Sequence, residues 1–222
     1  MGTSNWQNIS YNIDLVKKLD PHSILDIGVG FGRWGILFRE FLEIWGDRNY
    51  SGKWNRIIDG VEIFPDYLKS YHEYFYDNIY KTDALEFLKK TQNKYDLINC
   101  GDVIEHFEKE NALKLITYAM EKGRYVLINI PVGSNWEQSA INDNQYEIHR
   151  SVWEISDFTK YDNHLITEFE DIELRKYCVV LLSKERIDLK KTYGKYFTIK
   201  SILKNKLGLG AVVKLIENRN DR

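Results

Sequence analysis

Three glycines, Gly28, Gly30 and Gly32, recur at every second position in the segment Asp-Ile-Gly-Val-Gly-Phe-Gly-Arg at 26–33, directly after an apolar run. A turn of this kind lets backbone amides approach a ligand with no Cβ in the way, at the positive end of the helix that follows. The dinucleotide spacing G-x-G-x-x-G would need its third glycine at position 33, which is Arg33. The loop therefore reads as a cradle for a nucleoside-type ligand, with the pyrophosphate version weakened. Acids close the next apolar runs: Glu62, then Asp83. Glu62 can accept hydrogen bonds from both hydroxyls of a ribose, each charge-assisted bond contributing about 1.5–3 kcal/mol. Asp83 can accept from the exocyclic amine of an adenine, and Asp26 is placed to order the glycine loop and to face a cationic part of a ligand. One acid at one strand end is as readily a helix cap. Three at successive strand ends, beside a glycine turn, point to a nucleoside site.

Such residues converge only if the strand ends are aligned. The chain alternates short apolar runs with helical periodicity, as in a parallel sheet covered on both faces. Strands are expected at about 23–28, 57–63, 78–82, 95–100 and 124–130, followed by an antiparallel pair at 164–170 and 177–183. Helices are expected over about 32–45, where Trp34, Leu37, Phe38, Phe41, Leu42 and Trp45 keep i, i+3, i+4 spacing, from Pro65, and over 84–90 and 107–121. The expected fold is α/β: a Rossmann-like, doubly wound seven-stranded sheet, mostly parallel with an antiparallel C-terminal hairpin, and helices on both faces. Ligands of such sheets lie beyond the carboxyl ends of the strands, where the winding reverses. Residues 132–156 lack periodicity and carry Trp136, Gln145, Tyr146, His149, Arg150 and Trp153. A structureless stretch of that length inside a compact domain reads as a functional loop or lid.

Composition narrows the class. At 222 residues the chain suits one well-buried domain with an appendage, here a domain over 1–183 and a basic, helical extension over 184–222. The extension holds 11 Lys+Arg against 4 Asp+Glu, or +7, which leaves 20 against 29, or −9, for residues 1–183. That tail suits nucleic acid, anionic lipid or an acidic glycan as partners, but fits a solvated or self-docked segment better, because charge blocks specify partners weakly. Cys100 and Cys178 sit in strand-like runs and read as reduced core thiols. Without a signal-like N-terminus, and with no apolar stretch near the roughly 20 residues needed to span a bilayer, a cytoplasmic location is the expectation.

The motifs Asp-Ile-Gly-Val-Gly-Phe-Gly at 26–32, Gly-Val-Glu-Ile at 60–63, Asp83-Ala84 and Asp-Val-Ile-Glu-His at 102–106 resemble, in order, those of class I S-adenosylmethionine-dependent methyltransferases. The resemblance covers about residues 20–183. It implies S-adenosylmethionine as cofactor, with Gly28, Gly30 and Gly32 near its methionine portion, Glu62 and the adjacent Ile63 at the ribose, Asp83 and Ala84 framing the adenine, and Asp102 nearby. Arg33-Trp34 is bulkier than many members carry, and Arg33 either meets the cofactor carboxylate or is solvated. The segment 144–153, Asn-Gln-Tyr-Glu-Ile-His-Arg-Ser-Val-Trp, resembles the acceptor loop of a bacterial subgroup found among surface-polysaccharide and glycan-modifying methyltransferases. A small-molecule or sugar-linked acceptor, methylated at oxygen or nitrogen, is the implied partner; an RNA acceptor and a catalytically silent cofactor-binding protein are the alternatives.

For a hydroxyl acceptor the resemblance leaves His149 as the first candidate base and His106 as the second, since imidazole titrates near neutral pH. Each also has a plain role: loop ordering for His149, packing against the cofactor pocket for His106. Arg150 is a candidate grip for a phosphate or carboxylate, and Trp136, Tyr146 and Trp153 either stack on the acceptor or cover the core. Bacterial RNA-repair 2′-O-methyltransferases place a Glu and His cluster around a divalent ion, and a resemblance to them would make Glu105, His106 and His149 candidate ligands; the cluster is incomplete here, since residues 107–111, Phe-Glu-Lys-Glu-Asn, supply no further histidine at helical spacing. No metal ligand is expected. His22, His72 and His164 fall in no constellation.

Overall fold

The computed structural model describes residues 5–141 and 143–187, together with Leu189. The expected extension over 184–222 therefore lies almost wholly outside the described residues.

Helix α1 (Ile9–Leu19) precedes the first strand and is an element the sequence reading did not include. Its Ile13, Leu15 and Val16 are buried, and it stops where Asp20 turns left-handed (φ 48°) ahead of Pro21. Next come β1 (Ser23–Ile27), α2 (Arg33–Phe38), β2 (Ile57–Glu62), α3 (His72–Phe75), β3 (Asn78–Lys81) and α4 (Ala84–Lys90). The second half holds β4 (Tyr95–Gly101), α5 (Lys109–Lys122), β5 (Gly123–Pro131), α6 (Ser156–Thr159), β6 (His164–Glu170) and β7 (Lys176–Ser183). The strands form one sheet in the order β3-β2-β1-β4-β5-β7-β6. All neighbours are parallel except the β5–β7 and β6–β7 pairs. This is the expected seven-stranded sheet with its antiparallel C-terminal hairpin.

The winding reverses between β1 and β4, which are paired from Ile24↔Leu97 to Ile27↔Cys100. That register sets the glycine turn after β1 beside the Asp102 turn after β4. Both strands are buried on both faces, which is why they read as near-continuous apolar runs. On one face Leu25, Ile27, Ile98, Cys100, Val126 and Ile128 join one apolar cluster with Leu115 and Ile116 of α5.

Two expected elements differ. From Pro65 the chain makes only a 3-10 turn, Pro65–Tyr67, and the α-helix is confined to His72–Phe75. The helix expected over 32–45 is α only to Phe38 and widens to a π-helix over Arg39–Ile44. The widened turn coincides with a buried charge network. Arg39 bonds the Glu43 carboxylate and the Arg56 carbonyl, both at 2.7 Å, and Asp77 at 2.8 Å. A guanidinium taken out of water persists only when its donors are satisfied in this way.

Candidate functional site

The turn after β1 is built from three left-handed glycines, Gly28 (φ 75°), Gly30 (φ 52°) and Gly32 (φ 86°), a conformation costing L-residues roughly 1–2 kcal/mol each. At Gly28 space as well as φ demands glycine, since a Cβ there would lie 2.6 Å from Val103 Cγ2. Glu62, at the end of β2, fastens this turn. Its Oε2 accepts from Gly30 N and its Oε1 from Phe64 N, both at 2.8 Å. A carboxylate offers about four lone-pair sites, so these bonds do not exhaust its accepting capacity. Burial pushes the Glu62 carboxyl above its ordinary pKa, and the backbone donors, Gly30 first, pull it back.

A cavity of roughly 820 Å³ opens over these strand ends, within the 300–1,000 Å³ range of small-ligand sites. Gly28, Gly30, Glu62, Ile63, Asp83 and Ala84 all line it. Asp83 also caps α4, accepting from Glu86 N at 3.0 Å. Asp102 lines it from β4 and holds a left-handed backbone (φ 53°), a strained conformation of the kind that gathers at functional sites. Arg33 is on the same wall, where burial lowers its pKa and the Asp102 charge raises it.

Two expected cofactor residues are placed otherwise. Asp26, expected to face a cationic part of the ligand, is wholly buried behind the turn and does not line the cavity. It accepts from the Tyr76 hydroxyl at 2.6 Å and from Asn99 Nδ2 at 2.8 Å, and burial holds its pKa at about 7. Side-chain alternation explains this: Asp26 shares the sheet face of Ile24, not the direction of the loop. Gly32 does not line the cavity either; it turns the chain into α2, and a Cβ there would meet the His72 ring at 2.9 Å.

The stretch 132–156 lies over the turn after β4. Arg150 N and Ser151 N donate to the Glu105 carbonyl at 2.8 and 3.1 Å, and Tyr67 donates to the Glu147 carboxylate at 2.6 Å. These bonds bring His149 to His106, with ring centroids 5.0 Å apart. His106 Nδ1 pairs with the Ile148 carbonyl at 3.2 Å, and His149 Nδ1 with that of Trp136. Burial lowers the pKa of both rings, the neighbouring His149 adding to the effect at His106. Both are therefore neutral near pH 7. Trp136, Tyr146 and Arg150 line the cavity, whereas Trp153 is buried in the core against Phe158. Glu105, His106 and His149, the trio weighed from the sequence as candidate ion ligands, each place one possible ligand atom within 4.8 Å of the others. Tyr67 and Glu147 also line the site, and no sequence signal marked them.

No protein-family model matches the chain, and no curated protein matches it by sequence. Solved structures do match in fold. A SAM-dependent methyltransferase from Archaeoglobus fulgidus superposes with a TM-score of 0.52 at 16% identity, covering 78% of this chain and 94% of the other. A putative caffeoyl-CoA O-methyltransferase from Staphylococcus aureus gives 0.54 at 11% identity, with coverage of 82% and 86%. The Burkholderia thailandensis 1,6-didemethyltoxoflavin-N1-methyltransferase, solved with its substrate and S-adenosylhomocysteine, gives 0.54 at 12%, with coverage of 77% and 76%. The fold is that of class I S-adenosylmethionine-dependent methyltransferases. Among the described residues, no helix is long and apolar enough to cross a membrane.

Proposed function

We propose that this protein binds S-adenosylmethionine and transfers its methyl group to an oxygen or nitrogen of a small-molecule or glycan-linked acceptor. The observation carrying this reading is that one cavity is lined by the glycine turn, by Glu62, Asp83 and Ala84, and by the neutral His106–His149 pair. The residues fit the cofactor: Gly28 and Gly30 present a wall without Cβ, Glu62 keeps accepting capacity for the ribose hydroxyls, and Asp83 stands one strand further along for the adenine amine.

Bound S-adenosylmethionine supplies a methyl on sulfonium, which is already electrophilic. The protein's task is then to align the acceptor and exclude water. Residues 145–153 form the cover, and Trp136 and Tyr146 offer flat faces to an acceptor ring. His149, with Nδ1 tied to a carbonyl, keeps its lone pair on Nε2 and takes the proton of a hydroxyl acceptor; His106 is the second candidate. The glycan-linked class is supported by the resemblance of residues 144–153. The acidic balance of residues 1–183 weighs against RNA.

Calorimetric titration of the full chain with S-adenosylhomocysteine and, separately, with NADH tests the reading. Stoichiometric binding of the former supports it; binding of NADH alone ends it. A cofactor-binding protein without turnover would bind S-adenosylhomocysteine and transfer no labelled methyl to any fraction of a cell extract.

A further inference from the structure

Tyr177, near the start of β7, is paired in the sheet with Pro131 at the end of β5. Its ring is held from two directions. Phe169 stacks on it with centroids 5.5 Å apart, and the Trp136 indole stands edge-on at 6.5 Å, itself fixed by an Nε1 bond to the Lys176 carbonyl at 2.7 Å. The residue is 1% exposed and lines the cavity, yet its hydroxyl has no hydrogen-bond partner among the described residues. A buried hydroxyl left unpaired is costly, and one fixed on the wall of a ligand-sized cavity calls for a partner from the ligand.

Position separates this hydroxyl from the proposed cofactor contacts. At about 4.8 Å per strand, β7 lies about 10 Å from β4 and about 14 Å from β1, whose glycine turn is the proposed seat of the methionine portion. A ligand group that reaches Tyr177 therefore belongs to the acceptor. The surroundings select its chemistry. Burial raises the phenol pKa to about 12, with the charges of Asp102 and Asp171 adding to the effect, so the phenol keeps its proton and donates. Arg175, whose guanidinium lies 4.3 Å over the Trp136 ring, is already paired with Asp171 at 2.8 Å and Glu173 at 3.3 Å. An anionic group at this end would meet two carboxylate charges and a cation already neutralised. A hydroxyl suits both needs, since its oxygen accepts from the phenol while its own hydrogen faces the carboxylates.

We propose that Tyr177 is a specificity-determining contact that donates to a hydroxyl of an uncharged, polyhydroxylated acceptor unit, a further hydroxyl of which is the one methylated. This rests on the methyltransferase reading and deepens it. Trp136 ties the two functions together, because its ring flanks Tyr177 and its carbonyl receives His149 Nδ1. The phenol and the candidate base thus share one neighbour and act on one acceptor unit.

The test follows transfer of labelled methyl from S-adenosylmethionine into a cell-extract fraction over a dilution series of that fraction, which yields relative KM and kcat without an identified acceptor. Tyr177→Phe should raise the apparent KM about tenfold or more and leave kcat within about threefold, as expected of a contact equally strong in the ground and transition states. Its S-adenosylhomocysteine affinity should stay within about twofold of wild type, and its melting temperature should equal or exceed that of wild type, because only an unpaired hydroxyl is removed. Tyr11→Phe is the contrast: its hydroxyl is bonded to Thr167 Oγ1 at 2.6 Å, so that variant should melt lower with KM unchanged. A lowered melting temperature or an unchanged KM for Tyr177→Phe overturns the assignment. Periodate, which cleaves adjacent hydroxyls, should abolish the acceptor activity of the fraction, and activity that survives it overturns the polyhydroxylated class. Wild-type protein that binds S-adenosylhomocysteine but methylates no fraction refutes the methyltransferase reading, and this assignment with it, whereas failure of Tyr177→Phe alone leaves that reading standing.

Discussion

Replacing Glu62 by alanine should weaken S-adenosylhomocysteine binding by about 10- to 100-fold. The carboxylate already accepts from Gly30 N and Phe64 N at 2.8 Å each, and its remaining lone pairs are the proposed acceptors for the ribose hydroxyls. Two charge-assisted bonds at about 1.5–3 kcal/mol each set an upper limit near 3–6 kcal/mol. Water entering the vacated space restores part of that, so a net loss of about 1.4–2.8 kcal/mol is expected, a factor of ten per 1.4 kcal/mol. Glu62→Gln should be nearly as damaging despite its shape, because an amide sets one N–H against the N–H of Gly30 or Phe64. Calorimetry at pH 8 with S-adenosylhomocysteine and its 2′-deoxyribose analogue isolates the ribose contact. Wild type should bind the analogue at least tenfold more weakly, and Glu62→Ala should treat the two alike. A dissociation constant for Glu62→Ala within twofold of wild type, or an analogue penalty that survives the substitution, would refute the assignment.

His149→Ala should keep S-adenosylhomocysteine affinity within about threefold, since the ring is not among the proposed cofactor contacts, while methyl transfer from labelled S-adenosylmethionine into extract fractions falls 100-fold or more; unimpaired transfer would remove His149 from the chemistry. Gly28→Ala should lower the melting temperature and abolish cofactor binding, because its Cβ meets Val103 Cγ2 at 2.6 Å. Adding Val103→Ala should relieve the clash but not the roughly 1–2 kcal/mol cost of left-handed backbone, and full recovery would contradict that division. Asp26 ionises at about 7 when folded and near 3.8 when unfolded, so the folded state holds the extra proton between those values and stability falls as pH rises through that window. Asp26→Asn removes the dependence. Its stability relative to wild type should therefore rise by about 2–3 kcal/mol from pH 5 to pH 8 in urea melts, and a pH-independent difference would refute the buried-acid account.

The strands were legible because parallel strands buried on both faces write themselves as apolar runs, and the glycine triplet because alternating left-handed positions admit little else. Helix α1 was not, since its Asn8 and Asn12 turn inward to bond Asn129 Oδ1 at 2.8 Å and break the apolar stripe that would reveal it. The π-helix over Arg39–Ile44 was missed because six residues of side-chain periodicity do not separate a wide turn from an α-turn. Strand-end position identified Glu62 and Asp83 as cavity-lining acids but misplaced Asp26, whose orientation follows from the parity of side chains along β1. The meeting of His149 with Glu105 and His106 was suggested by resemblance and not by spacing. It depends on main-chain bonds from Arg150 and Ser151 to the Glu105 carbonyl, and any residue types could make those bonds.

Those same bonds link the two halves of the site. From Glu62 the chain runs through Phe64, whose N–H its carboxylate accepts, into the 3-10 turn Pro65–Tyr67, and the Tyr67 hydroxyl grips Glu147 in the cover. Two residues past Glu147, His149 approaches His106, and Arg150 and Ser151 reach back to the turn beyond β4. In the proposed cofactor complex Glu62 would hold the ribose from a segment that hydrogen bonds also connect to the cover. Coupling needs such a contiguous set of packed and hydrogen-bonded groups, and it needs both ligands to favour one arrangement of it. The Tyr67–Glu147 bond joins the cover to the 65–67 turn, and Tyr67→Phe cuts that link while leaving in place the Glu147 charge that acts on His106, His149 and Glu62.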